Sequence, residues 1–480
     1  MNHAAYADAI VKGAALYCDL GIQRMTQLNL LHENALWAQA SEELYTQWMK
    51  VYVEGYHLDP STSGYEWWLG FDWWGLSNGL IGGHENEPRS KPGICNETLR
   101  SVQREIMLLT PSPLLLQTAA WAPGQDVFMP LLLQNLTFGG FPSWAGGASL
   151  MWTATTLSDG DVVATAHKKV TAGAVTQGET GWLANISFTM PEAITAYETV
   201  RVWAELRLGE GVVEDGSVWA TSWDLGVFQA APHATVCKVP VLASSQMLAL
   251  ARLHCSNAAL MPSANYLPRT PFVVIAGQEG LSAVVATALD AVGGAAVLLS
   301  PPPGSLPASM GLHPVGLAAN VDAFHQPWWS SPGSTCAMVY NSSLVRGSMK
   351  LRGSFVPFPF GELITNATAY VLDNVSALVL RGVQVHVRSV PVDATDKTTC
   401  NGGNGCGAQL TTISNQALVM EAPLVRAEAA VSAIGRGAMA VVCGLDILNV
   451  SMLPKSPSAW WVFAALVDDA LRRATVVEQV

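Results

Sequence analysis

A short run of aromatic and acidic residues at 65–72 contains the side chains of this sequence that are best suited to chemistry. Its composition predicts a β-strand in which alternate side chains face opposite sides, so Glu66, Trp68 and Asp72 share one face. The rigid indole face of a tryptophan packs well on the C–H face of a sugar, and carboxylates accept hydrogen bonds from hydroxyl groups. The run therefore indicates a polar, aromatic surface suited to carbohydrate.

The two carboxylates of this run cannot act together as the acid and the nucleophile of a glycosidase. A strand rises about 3.3 Å per residue, which places Glu66 and Asp72 roughly 20 Å apart. The carboxyl pairs of glycosidases lie about 5 to 9.5 Å apart. Either residue could assist a glutamate from another strand, but the run alone holds no catalytic pair.

Two further patterns are weaker candidates for a nucleophile. Residues 75–79, Gly-Leu-Ser-Asn-Gly, fit the nucleophile elbow of serine hydrolases, but that motif needs a helix directly after it and 80–84 is a poor helix start. Cys336 lies within a predicted strand, without a glycine elbow. We interpret the first pattern as a loop and the second as a buried thiol.

The elements around the 65–72 strand predict a first segment at 1–111. Helical apolar spacing covers 6–29 and 33–56, and a further helix is expected at 96–109. The carboxyl end of a strand is where (β/α)₈ barrels place their active sites, but a complete barrel needs at least about 200 residues. The segment is therefore interpreted as a truncated barrel remnant. We expect its aromatic residues to dock on a neighbouring domain, to self-associate, or to stay partly unfolded.

Two more segments complete an α+β multidomain prediction. Segment 112–231 shows short alternating strands separated by turn residues, which is typical of a β-sandwich. Segment 232–480 contains a βαβ unit, with a strand, a helix and a strand between 272 and 299, and predicts an α/β layer domain. The strands expected in the sandwich are 127–134, 148–155, 161–166, 181–188, 200–208 and 219–228.

A family resemblance rests on residues 64–74, Gly-Tyr-Glu-Trp-Trp-Leu-Gly-Phe-Asp-Trp-Trp, followed by Ser77-Asn78-Gly79. This stretch, with Lys91 and Leu99, resembles the eighth barrel strand and following loop of family 2 glycoside hydrolases, the β-galactosidase and β-glucuronidase relatives. In that family a tryptophan four residues before an aspartate lies near the sugar subsite, and Trp68 and Asp72 match this spacing. The resemblance implies a substrate-binding set of Trp68, Asp72, Trp73 and Asn78.

The same resemblance implies that the two catalytic glutamates of the family are missing. In the family they lie on the fourth and seventh barrel strands, before the matched stretch, and no residue here matches either motif. We therefore expect a C-terminal fragment that begins after the nucleophile strand and is inactive as an isolated chain. Segment 112–231, which ends with Ser222-Trp223-Asp224, resembles the immunoglobulin-like domain that follows the barrel, and 232–480 resembles C-terminal domains of large members.

Composition and charge narrow the partners. The net charge is −12 and the basic residues are scattered, which disfavours nucleic acid because phosphate binding needs a basic stripe. No window reaches the roughly 20 apolar residues of a membrane span. No cofactor or metal is expected, because the eight cysteines form no metal-ligand spacing. Carbohydrate is the expected partner, and a homo-oligomer is an open possibility.

The N-glycosylation triplets and the cysteines bear on localisation. Several Asn-x-Ser/Thr sequons favour a lumenal or secreted chain, although 1–19 does not resemble a signal peptide. Cys400 and Cys406 bracket a flexible loop that could close into a disulfide, and the other six cysteines are expected to be free buried thiols. The sequons begin at Asn96, Asn135, Asn185, Asn341, Asn366, Asn374 and Asn449.

Two other functions remain open at this point. A non-catalytic carbohydrate-binding or scaffolding protein would keep the aromatic loop but would need no glutamate pair. A purely structural sandwich with an α/β module would mediate oligomerisation instead. The implied parent reaction, hydrolysis of a terminal β-glycosidic bond by two carboxylates, stays an expectation from the resemblance.

Overall fold

The structure is a computed structural model with mixed α and β content. It divides into two compact units, which we describe separately: Met1–Ile194 with Glu198–Val227, and Thr195–Tyr197 with Phe228–Val480. The residues that it describes are 26, 32, 49–65, 81–82, 89–90, 99–112, 119–137, 148–170, 175, 177–194, 197–208, 218–229, 234–263, 266–301, 312–317, 337–339, 368–372, 384–389, 392–393, 412–413, 416–423, 438–443 and 456–476.

The first unit contains two helices and ten strands among these residues. Most strands have nearly the bounds that the alternating pattern predicts. The elements are α1 (49–58), β1 (Ile81–Gly82), β2 (Arg89–Ser90), α2 (Leu99–Val102), β3 (Ile106–Leu109), β4 (Ala120–Trp121), β5 (Asp126–Asn135), β6 (Ala148–Thr156), β7 (Val162–Val170), β8 (Thr180–Thr189), β9 (Tyr197–Leu208) and β10 (Val218–Phe228).

Two sheets of this unit share one hydrophobic core. The first has the order β3-β5-β8, and the second has the order β4-β10-β9-β6-β7. Inward residues alternate with outward ones, as in β6, where Ala148, Leu150, Trp152 and Ala154 are buried. Side chains from both sheets form a single buried cluster, so the strands make two packed layers.

The helix expected at 96–109 is wrong over its second half. Helix α2 ends at Val102, and β3 pairs antiparallel with the end of β5, with Ile106 opposite Asn135. All four residues of β3 are buried, with Ile106 and Leu108 in the core between the sheets. A short continuous apolar run fits a buried strand as well as a helix, and pairing with β5 decides between them.

Helix α1 docks on the sheets through one face. Met49, Val51 and Val53 are buried, and Gln134 of β5 donates a hydrogen bond to the backbone oxygen of His57 at 2.8 Å. The docking predicted for the aromatic residues at 65–74 is a different contact, and apart from Tyr65 those residues lie outside the described part of the chain.

The second unit contains three helices and twelve strands in the part of the chain that the structure describes. The βαβ unit predicted between 272 and 299 is confirmed. The elements are β11 (Val241–Ala243), α3 (Leu248–His254), β12 (Ala259–Leu260), β13 (Val273–Ala276), α4 (Ala283–Val292), β14 (Ala295–Leu299), β15 (Leu312–Leu317), β16 (Ala337–Val339), β17 (Thr368–Leu372), β18 (Gln384–Ser389), β19 (Val392–Asp393), β20 (Thr412–Ile413), β21 (Gln416–Pro423), β22 (Met439–Cys443) and α5 (Pro457–Val476).

A parallel sheet forms the centre of the second unit. Its strands run in the order β12-β11-β13-β14-β22, and antiparallel β21 continues the sheet beyond β22. Helix α4 packs its buried residues into a core with alternate side chains of this sheet, whereas α3 packs on β11 and α5 packs on β13, β14 and β22. Because every residue of β13 and β14 is buried, helices cover the sheet as in other α/β layer folds.

The cysteine prediction needs a correction in this unit. Cys237 and Cys255, 18 positions apart, form a disulfide with Cα atoms 5.4 Å apart, although both were expected to be free. Cys255 ends α3, which turns the chain back beside Cys237, and Asn257 holds the Cys237 backbone through two hydrogen bonds. Cys443 is a buried thiol, as expected. Cys400, Cys406 and Cys336 lie outside the described residues.

Several other expectations remain predictions. The 65–72 strand, apart from Tyr65, falls outside the described residues. The domain boundaries at 111 and 231, with 1–111, 112–231 and 232–480 as separate domains, also remain predictions.

Candidate functional site

The substrate-binding set from the sequence lies outside the residues that the structure describes. Trp68, Asp72, Trp73 and Asn78 all belong to 66–80, and their arrangement stays a prediction. Tyr65 directly precedes this segment and is described. The chemistry around Tyr65 is therefore the part of the candidate surface that geometry can address.

Three tyrosines form a row next to this segment. Tyr52 and Tyr56 are one helical turn apart on α1, which places them on the same face. Their ring centroids are 6.4 Å apart, and Tyr56 stacks on Tyr65 at 5.7 Å with an interplanar angle of 21°. We call Tyr52, Tyr56 and Tyr65 the tyrosine row.

The tyrosine row reaches solvent. Tyr52 and Tyr56 are each 43% exposed, whereas the core aromatic residue Trp223 is 1% exposed. Gln103 donates a hydrogen bond to the hydroxyl of Tyr65 at 3.2 Å, which fixes one end of the row. Tyrosine combines an apolar ring face with a polar tip, so an exposed row of this kind can contact both the C–H face and the hydroxyl groups of a sugar.

The opposite face of α1 carries a buried carboxylate. Glu54 is fully buried and accepts hydrogen bonds from Lys50 and, at 3.4 Å, from Nε1 of Trp223. Lys50 also lies over the Trp223 ring, with Nζ 5.1 Å from its centroid. Burial raises the pKa of Glu54 above its ordinary value, and the charge of Lys50 partly opposes this effect.

A carboxyl with a raised pKa is the kind of group that can serve as a general acid. Glu54 differs from such an acid because both its oxygens are bonded to protein donors and none of its surface reaches solvent. Its arrangement ties α1 to strand β10. We therefore interpret Glu54 as an anchor that sets the orientation of the tyrosine row.

His57 completes the attachment of α1. Its ring meets the edge of Tyr65 at 5.6 Å with an interplanar angle of 85°, and its backbone oxygen is held by Gln134. Burial lowers the pKa of His57, which favours the neutral imidazole near pH 7. An uncharged ring packs against Tyr65 without the cost of burying a charge.

The second unit has a polar cluster at the carboxyl ends of β11 and β13. The chain leaves these neighbouring strands toward opposite sides of the sheet, which makes this a topological switch point, where α/β folds commonly bind ligands. Ser244 donates to Glu279 at 3.0 Å, and the Gln278 backbone donates to the Gln246 side chain at 3.2 Å. Glu279 also accepts a hydrogen bond from the backbone of Gln246 at 3.4 Å, so these bonds connect the segments that follow β11 and β13. Because Gln246, Gln278 and Glu279 are exposed, the cluster lies at the surface of the unit.

Sequence reasoning missed both Glu54 and the switch-point cluster. For the cluster, a signal was present: Ser244-Ser245-Gln246 and Gly277-Gln278-Glu279 each follow an apolar strand. For Glu54, no local signal existed, since a lysine and a glutamate four residues apart on a helix usually form a solvated pair.

In the part of the chain that the structure describes, no three His, Cys, Asp or Glu side chains converge into a metal-binding group. None of the helices placed there is both long and apolar enough to cross a bilayer.

Comparison with known proteins gives only weak likenesses. No protein-family model matches the chain, and no curated protein matches it significantly. A β-glucuronidase from Bacteroides uniformis matches 42% of this chain and 24% of its own length, at 10% identity and a TM-score of 0.17. A β-glucuronidase from Parabacteroides merdae matches 41% of this chain and 23% of its own length, at 8% identity and a TM-score of 0.16.

A third solved structure illustrates how unspecific these matches are. The CARDB domain of the PF1109 protein from Pyrococcus furiosus matches 26% of this chain and 92% of its own length, at 10% identity and a TM-score of 0.16. TM-scores this low do not establish a common fold. The site geometry has to carry any functional conclusion.

Proposed function

We propose that this chain binds carbohydrate through a surface made by the tyrosine row and the adjoining segment 66–78. In this proposal Trp68 and Trp73 supply further aromatic faces, and Asp72 and Asn78 supply polar groups for sugar hydroxyls. The proposal includes descent from family 2 glycoside hydrolases, with 1–111 as a barrel remnant, 112–231 as an immunoglobulin-like domain and 232–480 as an α/β domain.

The observation that supports the proposal is the exposed tyrosine row itself. Tyr52 and Tyr56 stack on one another while 43% of each remains in solvent, so part of both rings is still accessible to a partner. Complete burial of a large side chain stabilises by roughly 1.5 to 3 kcal/mol, which a bound sugar could partly supply. The row ends at Tyr65, where the tryptophan-rich segment begins. Buried contacts of Glu54 and His57 hold the row in place, as a preorganised binding surface requires.

Catalysis is a separate matter from binding in this proposal. Glycosidic hydrolysis needs two carboxyl groups at the scissile bond. The sequence has no match to either catalytic motif of the family, and both carboxylate oxygens of Glu54 accept hydrogen bonds, from Lys50 and Trp223. We infer that the 480-residue chain recognises sugar without cleaving it.

The test is a calorimetric titration of the full chain with β-linked galactosides, glucosides and glucuronides. We expect at least one class to bind, with Tyr56→Ala weakening the affinity about tenfold, since an aromatic stacking contact is worth about 0.5–1.5 kcal/mol. Tyr56→Phe is the matched control, because it keeps the ring and loses only the hydroxyl. Trp68→Ala should lower the affinity for the same sugar.

Two outcomes would overturn the proposal. One is equal affinity of Tyr56→Ala and Trp68→Ala with the wild type for every bound sugar. The other is robust hydrolysis of aryl β-glycosides that is abolished by changing a single Glu or Asp within residues 1–110. Each variant needs an unchanged melting temperature before its affinity is interpreted.

A further inference from the structure

Two of the seven sequons have their asparagine among the described residues, and their environments are opposite. Asn135, at the end of β5, is 1% exposed. Its Nδ2 donates to the backbone oxygen of Val175 at 3.1 Å, and its Oδ1 accepts from both the backbone and the hydroxyl of Thr137. Both polar atoms of the Asn135 side chain are buried and hydrogen-bonded within the protein, so a glycan on Asn135 is incompatible with this structure.

Asn185 has the accessibility that a glycan acceptor needs. It lies in β8, and both Asn185 and Ser187 are exposed on the outward face of the three-stranded sheet. Nε1 of Trp182 donates to Oδ1 of Asn185 at 3.2 Å. That bond uses the oxygen of the amide and not Nδ2, the atom to which a glycan is attached.

Exposed aromatic residues flank Asn185. Trp182 is 63% exposed and Phe128 is 61% exposed, the latter opposite Ser187 in the register of β5 and β8. A diagonal cross-strand neighbour lies about 7–8 Å away, within reach of a large side chain. Two large aromatic side chains therefore border one exposed asparagine, and their faces can pack on the C–H face of a sugar.

Strand β8 lies at an edge of its sheet, where exposed apolar side chains favour association with another chain. In the three-stranded sheet β8 pairs only with β5, so it is an edge strand of the described sheet. An edge that carries exposed aromatic residues invites pairing with a second chain, and a bulky hydrophilic group beside it would block that pairing.

N-glycosylation requires a chain that enters the secretory pathway, and a disulfide in the second unit independently favours such a compartment. Cys237 and Cys255 are disulfide-bonded, and disulfides persist mainly in oxidising compartments, where N-glycosylation also takes place. This evidence does not depend on the proposed sugar binding by the tyrosine row.

We propose that Asn185 is N-glycosylated and that the first sugars of this glycan pack on Trp182 and Phe128. The donor is an oligosaccharide linked through a diphosphate to a lipid. A bond forms between Nδ2 of Asn185 and the anomeric carbon of the first sugar, and the bond from that carbon to the diphosphate oxygen breaks. The diphosphate leaves with the electron pair, and the amide nitrogen loses one proton to a base.

The test uses the full chain expressed behind a secretory signal in eukaryotic cells. Secreted protein is treated with peptide N-glycanase in ¹⁸O-water, and peptides are mapped by mass spectrometry. We expect the Asn185 peptide to carry the label and the Asn135 peptide to lack it. Ser187→Thr keeps the sequon and should keep the label, whereas Ser187→Ala should lose it. An unlabelled Asn185 in folded, secreted wild-type protein overturns the proposal.

The aromatic contact has its own test. Ser187→Ala, which removes the glycan, should lower the melting temperature by a few degrees in the wild-type background and by less in Trp182→Ala. An equal decrease in both backgrounds means that the glycan does not pack on Trp182. Neither result depends on binding of free oligosaccharide, so failure here and failure of the sugar-binding proposal are distinguishable.

Discussion

At the scale of single residues, Glu54 is the group on which the candidate surface most depends. Its carboxylate satisfies Lys50 and the Nε1 of Trp223, and its position on α1 fixes the direction in which Tyr52 and Tyr56 project. A buried charge of this kind is costly to bury and costly to leave without a partner. Removal of the Glu54 carboxylate therefore tests whether its contact with Trp223 of β10 holds α1 in place.

We expect Glu54→Ala to lower the free energy of unfolding by about 2–4 kcal/mol, because Lys50 and Trp223 lose their acceptor in a buried site. Glu54→Gln keeps an acceptor oxygen and should cost less. Urea denaturation followed by tryptophan fluorescence measures both variants. A cost below about 0.5 kcal/mol for Glu54→Ala, as at an ordinary surface position, would contradict the anchor role.

The raised pKa of Glu54 also predicts a pH dependence. The folded chain binds this proton more tightly than the unfolded chain, so the contribution of Glu54 to stability is greatest below the ordinary glutamate pKa. That contribution is lost as the pH rises through the raised folded-state pKa. The difference in unfolding free energy between wild type and Glu54→Gln should change across this range, and a constant difference would contradict the assigned burial.

The sequence could not reveal the role of Glu54. Trp223 lies 169 positions away, and only the docking of α1 on the second sheet brings the two side chains together. The outward tyrosines were equally hidden, since their spacing is compatible with any amphipathic helix. The sequon at Asn135 misleads in the opposite direction. Its local pattern suggests an exposed glycan acceptor, but the asparagine is buried.

At the scale of elements, the turn between α4 and β14 is constrained by two adjacent glycines. Helix α4 ends at Gly293, which adopts a left-handed conformation with φ 73°. At Gly294 a Cβ atom would come within 2.5 Å of the backbone oxygen of Phe272 and 2.6 Å of a Leu289 methyl group. The helix therefore packs on the sheet only because position 294 lacks a side chain.

We expect Gly294→Ala to lower the free energy of unfolding by about 1–3 kcal/mol, as overpacking of a core does. Gly55→Ala is the matched control, because Gly55 lies in helix α1 with no atom within 4 Å of an added Cβ. That change should stabilise by about 0.5–1 kcal/mol through helix propensity. Equal effects of the two substitutions on chemical denaturation would contradict the packing described here.

The disulfide ties the entry of the second unit to the end of α3. A loop of about 15 residues closed by a disulfide is stabilised by roughly 3 kcal/mol in the chain-entropy description. We expect the double variant Cys237→Ala/Cys255→Ala to lose about this much free energy of unfolding, measured by chemical denaturation. Cys443→Ala is the control, and peptide mapping under non-reducing conditions should still recover the Cys237–Cys255 peptide from it. Failure to recover a Cys237–Cys255 peptide from the wild type would contradict the pairing.

Elements were predictable where alternation or periodicity was long. The long strands β5 to β10 were predicted with bounds that differ by at most four residues at either end, because inward and outward side chains alternate along them. The apolar run Ile106–Leu109 lacks alternation, and only its partner β5 defines it as a strand. The disulfide was missed for a similar reason, since α3 alone brings positions 18 apart into contact.

At the scale of the whole molecule, the sequence predicted a mixed α+β chain but could not give the strand order of its sheets. The parallel order β12-β11-β13-β14-β22 brings β22 beside β14 across a separation of well over a hundred residues, which no local pattern encodes. We propose that the surface beginning at the tyrosine row contacts sugar. We predict that Trp68, Asp72, Trp73 and Asn78 of the adjoining segment contribute to the same contact.

The most direct test is saturation-transfer NMR on deuterated protein in which only tyrosine rings carry protons, with the tightest-binding oligosaccharide as the probe. We predict transfer from tyrosine ring protons to the C–H protons of the bound sugar. Tyr56→Phe, with the phenylalanine deuterated, should keep binding but lose most of the transfer. Binding with no transfer from tyrosine, or with transfer unchanged in Tyr56→Phe, would contradict the account, as would the absence of binding to any sugar tested.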